Sequence, residues 1–491
     1  MDIIDGIKSR LVSELKVFRE ALNIQNEGIF EKKILDDIVK ILATKPIQAL
    51  EHRLQLGLVY NVLGEEKGKH TRFAHTVGVV AKCIVTADLI NKNTHNKQLR
   101  FTEVDVRELA VAACLHDCGH FPISHATERA FLTAKNLTKG TSHEERILPL
   151  IVNRNSYFEE LRNIVLSWGK EYDENTFFRI ACIISPNQGE EYVKSNDTFK
   201  RPKKAIQQLL VSDIDMDRLD YIIRDANELN YLPVKLIADK LVAYVKGLTL
   251  EIYKSLNQPK NSDNVELCLA SDVKENVFYL LVSRVLLYKY IYFSDKVRRF
   301  EAILTYLVGT LIEEGVAFEP LKLIAMSDNE FLNSYLLELV KYIEDKEDLQ
   351  RHLREKYINV LKHDKVVRFN KLESIYDFNI VNPRLKEEFQ KNINKRSYID
   401  NLRKYIYSKA GDIDLEQGDI LLDIFYLKTG GGELLVKEED GELKTLNFFM
   451  NGSNMHRLCS ENRLDIYMKS DLSDRKKKFV SDELNKFFKE I

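Results

Sequence analysis

Histidine is the residue whose distribution in this sequence points most directly to chemistry. Seven of the eleven histidines lie between residues 70 and 143, namely His70, His75, His95, His116, His120, His125 and His143. The pair His116-Asp117 follows an apolar run that is typical of a buried helix. An ionisable pair at the end of a core helix is destabilising unless it is paired or bound to a metal. His120 lies four residues after His116, which predicts that both side chains share one helix face, whereas His70 and His95 are interpreted as surface residues.

A neutral imidazole beside a carboxylate suits a divalent metal such as Mn, Fe, Zn or Mg. Such a site needs further ligands from other segments, and His75 lies on the preceding apolar helix. A later helix, predicted from about residue 205 to residue 227, supplies carboxylates. Its polar residues recur at i, i+4, i+7 and i+11 as Asp213, Asp217, Asp220 and Arg224. This stripe predicts either a set of metal ligands or a network of ion pairs.

These residues resemble a known family. His75, His116-Asp117 and Asp217 reproduce in order the H…HD…D signature of HD-domain metal-dependent phosphohydrolases. Three segments narrow the resemblance to the deoxynucleoside triphosphate triphosphohydrolases (dNTPases), both the bacterial enzymes and the core of the animal sterile-alpha-motif-and-HD-domain dNTPase. They are Gln48–Gly57, His116–His125 and Ser142–Glu145. The resemblance covers roughly residues 40 to 310 and continues weakly into the C-terminal part.

The resemblance implies a metal-dependent reaction that splits a dNTP into deoxynucleoside and inorganic triphosphate. It implies that a divalent metal is held by His75, His116, Asp117 and Asp217. The metal would polarise the α-phosphate and position a hydroxide for in-line attack. His125 matches the acid that protonates the departing 5′-oxygen, with Glu128 near it. His120 and His143 match histidines that contact phosphates or relay protons, roles that suit a group with a pKa near neutrality.

The resemblance also implies which residues bind the substrate. Arg72, Arg218 and Arg284 match phosphate-contacting positions, and Arg offers bidentate donors for such groups. Tyr221, Asp225 and Tyr292 match residues around the sugar. Gln55 and Leu56 match the pair that packs on the deoxyribose and leaves no room for a 2′-hydroxyl. Other interpretations stay open: Arg218 and Arg224 could pair with Asp220 and Asp213, Tyr292 could belong to the core, and Arg284 rests on a helix alignment without a fixed motif.

Some positions depart from the family pattern. The positions at which the animal enzyme reads an activating guanine are Ala43 and Glu51 here. Guanine-nucleotide activation of that type is therefore not expected. The segment from Gln55 to Arg72 is two residues longer than in the animal enzyme, which leaves the base-facing loop undefined.

The amino-acid composition limits which partners and which cellular compartment are expected for this protein. The chain has 491 residues, with 73 Lys and Arg against 75 Asp and Glu, for a net charge of -2. This balance does not favour nucleic acid as the main partner, although a local groove could bind it. The six scattered cysteines predict reduced thiols in a cytoplasmic protein. No secretory signal and no uncharged membrane-spanning stretch is visible, so no membrane association is expected.

The predicted fold is mainly α, with an HD-domain helical core and a small C-terminal α+β lobe. The expected domains are an N-terminal helical extension (residues 1–40), the phosphohydrolase core (41–310) and the C-terminal lobe (311–491). Strands are expected at 248–253 and 265–270 as a hairpin, and again between 419 and 468. One long helix is expected from about residue 273 to residue 315.

Three functional hypotheses follow. The first is a cytoplasmic dNTPase, and the resemblance implies that it forms a homo-oligomer. The second is an HD phosphohydrolase that acts on another nucleotide or phosphoester. The third is a nucleic-acid-binding or regulatory protein in which the HD site is secondary.

Overall fold

The structure is a computed structural model, and it is mainly α-helical with a small amount of sheet, as the sequence predicts. It describes residues 3–57, 59, 68–135, 142–186, 199–252, 265–343, 346–362, 369–376, 387, 396–411, 413–415, 418–428, 435–438, 441–445 and 460–489. The polar stretch 186–204, which the sequence predicts to be a long surface loop, lies mostly outside these residues, as does most of the base-facing loop. The predicted domain boundaries stay a prediction.

The helices of the first half surround two buried helices, α4 and α5. In chain order they are α1 (Ile3–Ala21), α2 (Ile29–Leu42), α3 (Lys45–Gln48), α4 (Arg72–Asn93), α5 (Glu103–Leu115), α6 (His125–Lys135), α7 (His143–Val152), α8 (Glu159–Leu166), α9 (Glu174–Ile184), α10 (Lys204–Leu210), α11 (Met216–Glu228), α12 (Leu232–Lys235) and α13 (Ala238–Ala243). Short 3-10 turns cover Ala49–His52, Ser156–Phe158 and Tyr244–Gly247. The start of α5 is fixed by a capping box between Thr102 and Asp105, and every residue from Val106 to Leu115 is buried.

The second half is also helical. Its helices are α14 (Lys274–Leu287), α15 (Asp295–Glu313), α16 (Pro320–Ala325), α17 (Asp328–Glu330), α18 (Leu336–Lys341), α19 (Glu347–Leu353), α20 (Asn359–Lys362), α21 (Arg396–Lys409) and α22 (Asp474–Lys489). A 3-10 turn (Ser271–Val273) precedes α14, and π-helical turns lie at Tyr288–Tyr292, Phe331–Tyr335 and Arg354–Ile358. Helix α15 packs against α6, which begins at His125. The second half of the chain therefore covers one side of the histidine-rich region, residues 70–143.

Two sheets complete the fold. The strands are β1 (Leu248–Ile252), β2 (Val265–Ala270), β3 (Phe369–Tyr376), β4 (Ile420–Lys428), β5 (Leu435–Lys437), β6 (Leu443–Thr445) and β7 (Ser460–Lys469). Strands β1 and β2 form the predicted antiparallel hairpin, and the first sheet has the order β1-β2-β5-β6. The second sheet, β3-β7-β4, is antiparallel, and its strand β3 was not predicted.

The structure corrects two helix predictions. The helix expected from residue 205 to residue 227 is broken between Leu210 and Met216, because Asp215 caps the start of α11 by accepting a hydrogen bond from the Arg218 backbone N–H. The helix expected from residue 273 to residue 315 is likewise divided, and its two parts meet at 66°. Both breaks leave polar or aromatic side chains beside the histidine-rich region.

One described helix has the length and apolar composition of a membrane span. This helix is α4, and 83% of its most apolar window is buried inside the protein. The bent pair formed by Ser271–Tyr292 and Asp295–Glu313 meets the same criterion only when it is taken as one unit. The five described cysteines are buried and are not in disulfides, and Cys459 lies outside the described residues.

Candidate active site

The predicted metal ligands meet where three helices converge. Helix α4 carries His75, helix α5 ends immediately before His116-Asp117, and Asp217 lies in the first turn of α11. The Nε2 atom of His75 lies 2.9 Å from Oδ1 of Asp217 and 3.9 Å from Oδ2 of Asp117. His116 Nε2 lies 3.5 Å from Asp117 Oδ1 and 3.7 Å from Asp217 Oδ1. The donor atoms of His75, His116 and Asp117 all fall within 4.8 Å of one another, which is compatible with one shared cation.

Neighbouring groups orient these ligands. His116 Nδ1 lies 2.7 Å from the carbonyl oxygen of Ala113, which can only accept, so Nδ1 carries the proton. Its Nε2 atom is therefore free to bind a cation, and this buried atom has no hydrogen-bond partner. His75 Nδ1 lies 2.8 Å from Asp220, which also pairs with Lys82. Such partners fix the imidazole tautomer in protein metal sites, so the donor set fits a divalent metal.

The charges around the ligands favour a cation. Burial tends to raise the pKa of Asp117, but Arg72 and the adjacent imidazoles outweigh it and hold the pKa well below its ordinary value. Burial tends to lower the pKa of His75, but the carboxylates of Asp217 and Asp220 raise it to about 10. The field that draws a proton to His75 would equally stabilise a metal ion at the same place.

A second cluster lies beside the metal ligands and contains His120, His125, Glu128 and His143. The carboxylate of Glu128 lies 2.7 Å from His120 Nδ1 and 3.2 Å from His125 Nδ1. His120 and His143 stack with ring centroids 3.6 Å apart. A Cβ atom at Gly119 would meet the backbone oxygen of His143 at 1.9 Å, so only glycine permits this approach. The predicted catalytic residues are therefore neighbours, although His120 is not on the helix face of His116, because α5 ends at Leu115.

The two stacked histidines differ in charge. Burial, Arg72 and His143 lower the pKa of His120 to about 3. Burial also tends to lower the pKa of His143, but Glu144, Glu128 and Asp117 raise it to about 9. At neutral pH, His120 is neutral and His143 carries a proton. Adjacent groups with separated pKa values can divide acid and base roles.

A cavity of about 480 Å³ opens above both clusters. Its lining includes the predicted substrate residues Gln55, Leu56, Arg72, Arg218, Tyr221, Asp225, Arg284 and Tyr292. It also includes residues that sequence reasoning missed, notably Arg129, Tyr288 and Glu301. Arg129 and Glu301 form an ion pair between α6 and α15. No periodic pattern links these positions, which lie more than 170 residues apart.

The three predicted phosphate-binding arginines have different surroundings. Arg72 is held by Ser124 and Asp117, with its Nε and Nη1 atoms 2.7 and 2.6 Å from their oxygens. Arg218 contacts Asp215 at 3.2 Å rather than Asp220. Arg224 pairs with Asp220 at 2.8 Å, and Arg218 also lies 3.7 Å from Asp213. Arg284 differs from all of these, because its buried Nε and Nη1 atoms have no hydrogen-bond partner among the described residues.

The predicted sugar-binding residues form one wall of the cavity. The Tyr292 hydroxyl donates a hydrogen bond to Asp225, so Tyr292 is not simply a core residue. Asp225 also lies 2.6 Å from Nε2 of His70. The interpretation of His70 as a surface residue is wrong, since it is only 8% exposed and its backbone oxygen accepts a hydrogen bond from Gln55. His95 is exposed, as predicted.

Comparisons with known proteins agree with this site. Residues 72–225 match the HD domain family. An uncharacterized protein of Mycoplasma genitalium is 28% identical over 210 residues, 41% of this chain and 43% of that protein. The deoxynucleoside triphosphate triphosphohydrolase SAMHD1 of Mus musculus is 27% identical over 241 residues, 47% of this chain and 34% of that protein. The chain thus spans less than half the length of these relatives. A crystal structure of a hypothetical protein from Aquifex aeolicus has the same fold, with a TM-score of 0.57, 19% identity, and coverage of 90% of this chain and 95% of that one.

Fold and site together show an HD domain with a centre able to hold a divalent metal. The chain carries an HD domain that begins at Arg72 and ends at Asp225, and the predicted metal ligands all lie within it. The resemblance to the HD-domain dNTPases is supported by the match to SAMHD1.

Proposed function

We propose that this protein hydrolyses dNTPs to deoxynucleoside and inorganic triphosphate. One observation carries the proposal: a cluster of two imidazoles and two carboxylates lies in the same cavity as two unpartnered donors of Arg284 and the hydrogen-bonded pair Tyr292 and Asp225. His75, His116, Asp117 and Asp217 would hold the metal. When bound, the metal would supply Lewis-acid polarisation of the α-phosphate and lower the pKa of the attacking water.

The remaining residues would bind and orient the nucleotide. Arg284 offers two buried, unpartnered donors to the triphosphate, and Arg218 adds positive charge beside it. Arg72 would contribute less directly, because two of its nitrogens already bind Ser124 and Asp117. Guanidinium groups suit this role because they offer planar sets of donors to phosphate oxygens.

Proton transfer would fall to the second cluster. The side chain of His125 is 57% exposed, and its Nδ1 atom faces Glu128. His125 would therefore present its other nitrogen to the leaving 5′-oxygen, while Glu128 fixes the orientation of the ring. The protonated His143 would place a positive charge beside the phosphates. The neutral His120 would accept and pass on a proton at the same place.

Discrimination against ribonucleotides would come from Gln55 and Leu56. The Oε1 atom of Gln55 is buried without a hydrogen-bond partner, which is typical of a group that pairs with a ligand. Leu56 is 6% exposed and lines the same cavity. Tyr221, Asp225 and Tyr292 would complete the sugar site, with His70 holding Asp225 in place.

The Leu56→Ala substitution should relax sugar discrimination. Removing three carbons beside the sugar opens space for a 2′-hydroxyl, and steric selection of this size is worth about 10- to 200-fold. The ratio of kcat/KM for dATP over ATP should fall by about 10-fold or more. The measurement is steady-state kinetics on both nucleotides, with Leu236→Ala, a 79% exposed leucine, as the control. An unchanged ratio would contradict the assignment of Leu56 to the sugar site.

A substrate panel tests the proposed function. Purified protein with Mn²⁺ or Mg²⁺ is incubated with each dNTP and each NTP, singly and mixed, and products are separated by anion exchange. Deoxynucleoside plus triphosphate is the expected result. Activity only on ribonucleotides or on other phosphoesters would instead favour the second hypothesis. A gel shift with nucleic acid that weakens with salt, accompanied by no hydrolysis, would favour the third hypothesis.

We further propose a cytoplasmic homo-oligomer with the domain boundaries predicted above. The activator site of the animal enzyme is not expected here, since Glu51 is paired with Arg10 at 3.0 Å. Sedimentation with and without nucleotide measures the oligomeric state, and a single species of 57.1 kDa in both conditions would refute the oligomer.

A further inference from the structure

A buried carboxylate far along the chain contacts both walls of the active-site cavity. Asp328 is 8% exposed and lies 103 positions beyond the last residue of the HD domain. Its Oδ2 atom accepts a hydrogen bond from the backbone N–H of Leu54 at 2.8 Å, next to Gln55. Its Oδ1 atom accepts one from the backbone N–H of Ile123 at 2.7 Å, two residues before His125. One side chain thus ties together two loops that line the cavity.

The second of these loops has a strained backbone. Ile123 and Ser124 have φ angles of 59° and 52°, in the left-handed region. A β-branched residue such as Ile rarely adopts this conformation, and it persists only where surrounding contacts determine it. Asp328 supplies such a contact, because its buried carboxyl group accepts the hydrogen bond of the Ile123 N–H within this strained segment.

The strained loop leads directly to a metal ligand. Ser124 is 3% exposed, and its Oγ atom accepts a hydrogen bond from Arg72 Nε at 2.7 Å. Arg72 in turn donates from Nη1 to Asp117 Oδ2 at 2.6 Å. A continuous series of hydrogen bonds therefore runs from Asp328 through the Ile123–Ser124 backbone and Arg72 to Asp117.

A second contact reinforces the same connection. Arg53 is 1% exposed and donates from Nη1 to the backbone oxygen of His120 at 2.9 Å. Its Nε atom donates to the backbone oxygen of Met326 at 3.2 Å. Arg53 thus links the segment that carries Asp328 to the loop that carries His120.

We propose that Asp328 is a positioning residue, through which the helical region after the HD domain completes the active site. Asp328 sets the geometry of Asp117 and of the Gln55 and His125 loops without touching the substrate. The inference rests on the proposed metal site but not on the proposed substrate. We therefore expect that the HD domain alone does not hold the proposed metal site in the correct geometry.

The test is metal affinity in Asp328→Asn, measured without nucleotide. The amide keeps the size of the side chain but offers only one acceptor and turns an NH₂ group toward the other N–H. We expect Mn²⁺ affinity, measured by equilibrium dialysis, to fall by about 10- to 100-fold, as for other partners of metal ligands. The kcat for dNTP should fall similarly. The control is Asp419→Asn, which alters a buried carboxylate that pairs with Lys469 at 2.5 Å in the second sheet.

A double-mutant cycle separates positioning from a general loss of stability. If Asp328 acts through Ser124, then Asp328→Asn combined with Ser124→Ala should lose no more affinity than the worse single variant. Wild-type affinity in Asp328→Asn, or fully additive losses in the double variant, would overturn the proposal. If Asp328→Asn does not fold, Ser124→Ala alone must still lower metal affinity, and wild-type affinity there would overturn the proposal equally. A wild-type protein that binds Mn²⁺ but hydrolyses no dNTP would contradict the proposed function and leave this test intact.

Discussion

The Asp217→Ala variant should bind no stoichiometric metal and lose at least about 1,000-fold in kcat, because the metal supplies several kcal/mol of transition-state stabilisation. Asp217 lies 2.9 Å from His75 and 3.7 Å from His116, so its removal opens one side of the ligand cluster. The fold should survive, since the Asp217 side chain is 32% exposed and the cap of its helix is Asp215. Elemental analysis of the purified protein and single-turnover assays measure the two effects.

The control is Asp213→Ala, which removes a carboxylate four residues earlier in the chain. Asp213 precedes the helix, and its carboxylate lies 3.7 Å from Arg218. This variant should keep its metal and most of its activity. Equal losses of metal and of kcat in both variants would contradict the ligand assignment. Full metal occupancy and wild-type rates in Asp217→Ala would contradict it as well.

The second large effect is expected for His125→Gln, which should lower kcat by about 100- to 10,000-fold, the range for loss of a general acid. The exposed ring lies above the cavity, so KM and folding should change little. The effect should depend on the leaving group. For a triphosphate ester of p-nitrophenol, the substitution should lower kcat far less, because the phenolate leaving group departs without a proton.

Kinetics on both substrates measure this dependence. His95→Gln, at an exposed histidine, is the matched control and should behave as wild type. Equal losses on the nucleotide and on the nitrophenyl ester would show that His125 does not act as the acid, and a positioning role would remain.

The cluster of candidate metal ligands could be predicted only in part from the residues themselves. His116-Asp117 at the end of an apolar helix and His75 on the helix before it are chemically distinctive, whereas Asp217 is selected from the acidic stripe by the resemblance to HD-domain phosphohydrolases. The break before α11 was also marked in the sequence, since Ser212, Asp213 and Asp215 are typical of helix starts. The continuous helix was predicted because the stripe of Asp213, Asp217, Asp220 and Arg224 has helical spacing and begins inside that break.

Other parts of the site depend on contacts that no local pattern reveals. His70 is buried because Asp225, 155 residues later, lies against it. Asp328 meets Ile123 across 205 residues and occurs in a short polar segment that looks like a surface turn. Residues of this kind acquire their role only when the chain folds, and one sequence alone cannot indicate them.

The most direct test of the account locates the bond that breaks. A dNTP is hydrolysed in H₂¹⁸O with Mn²⁺, and the products are identified by mass spectrometry, with Asp217→Ala as a control. If water attacks the α-phosphorus and the 5′-oxygen departs, the two products form in equal amounts. The deoxynucleoside is then unlabelled, and the triphosphate carries one ¹⁸O atom. Release of pyrophosphate or orthophosphate, label in the nucleoside, or unchanged activity in Asp217→Ala would contradict the account.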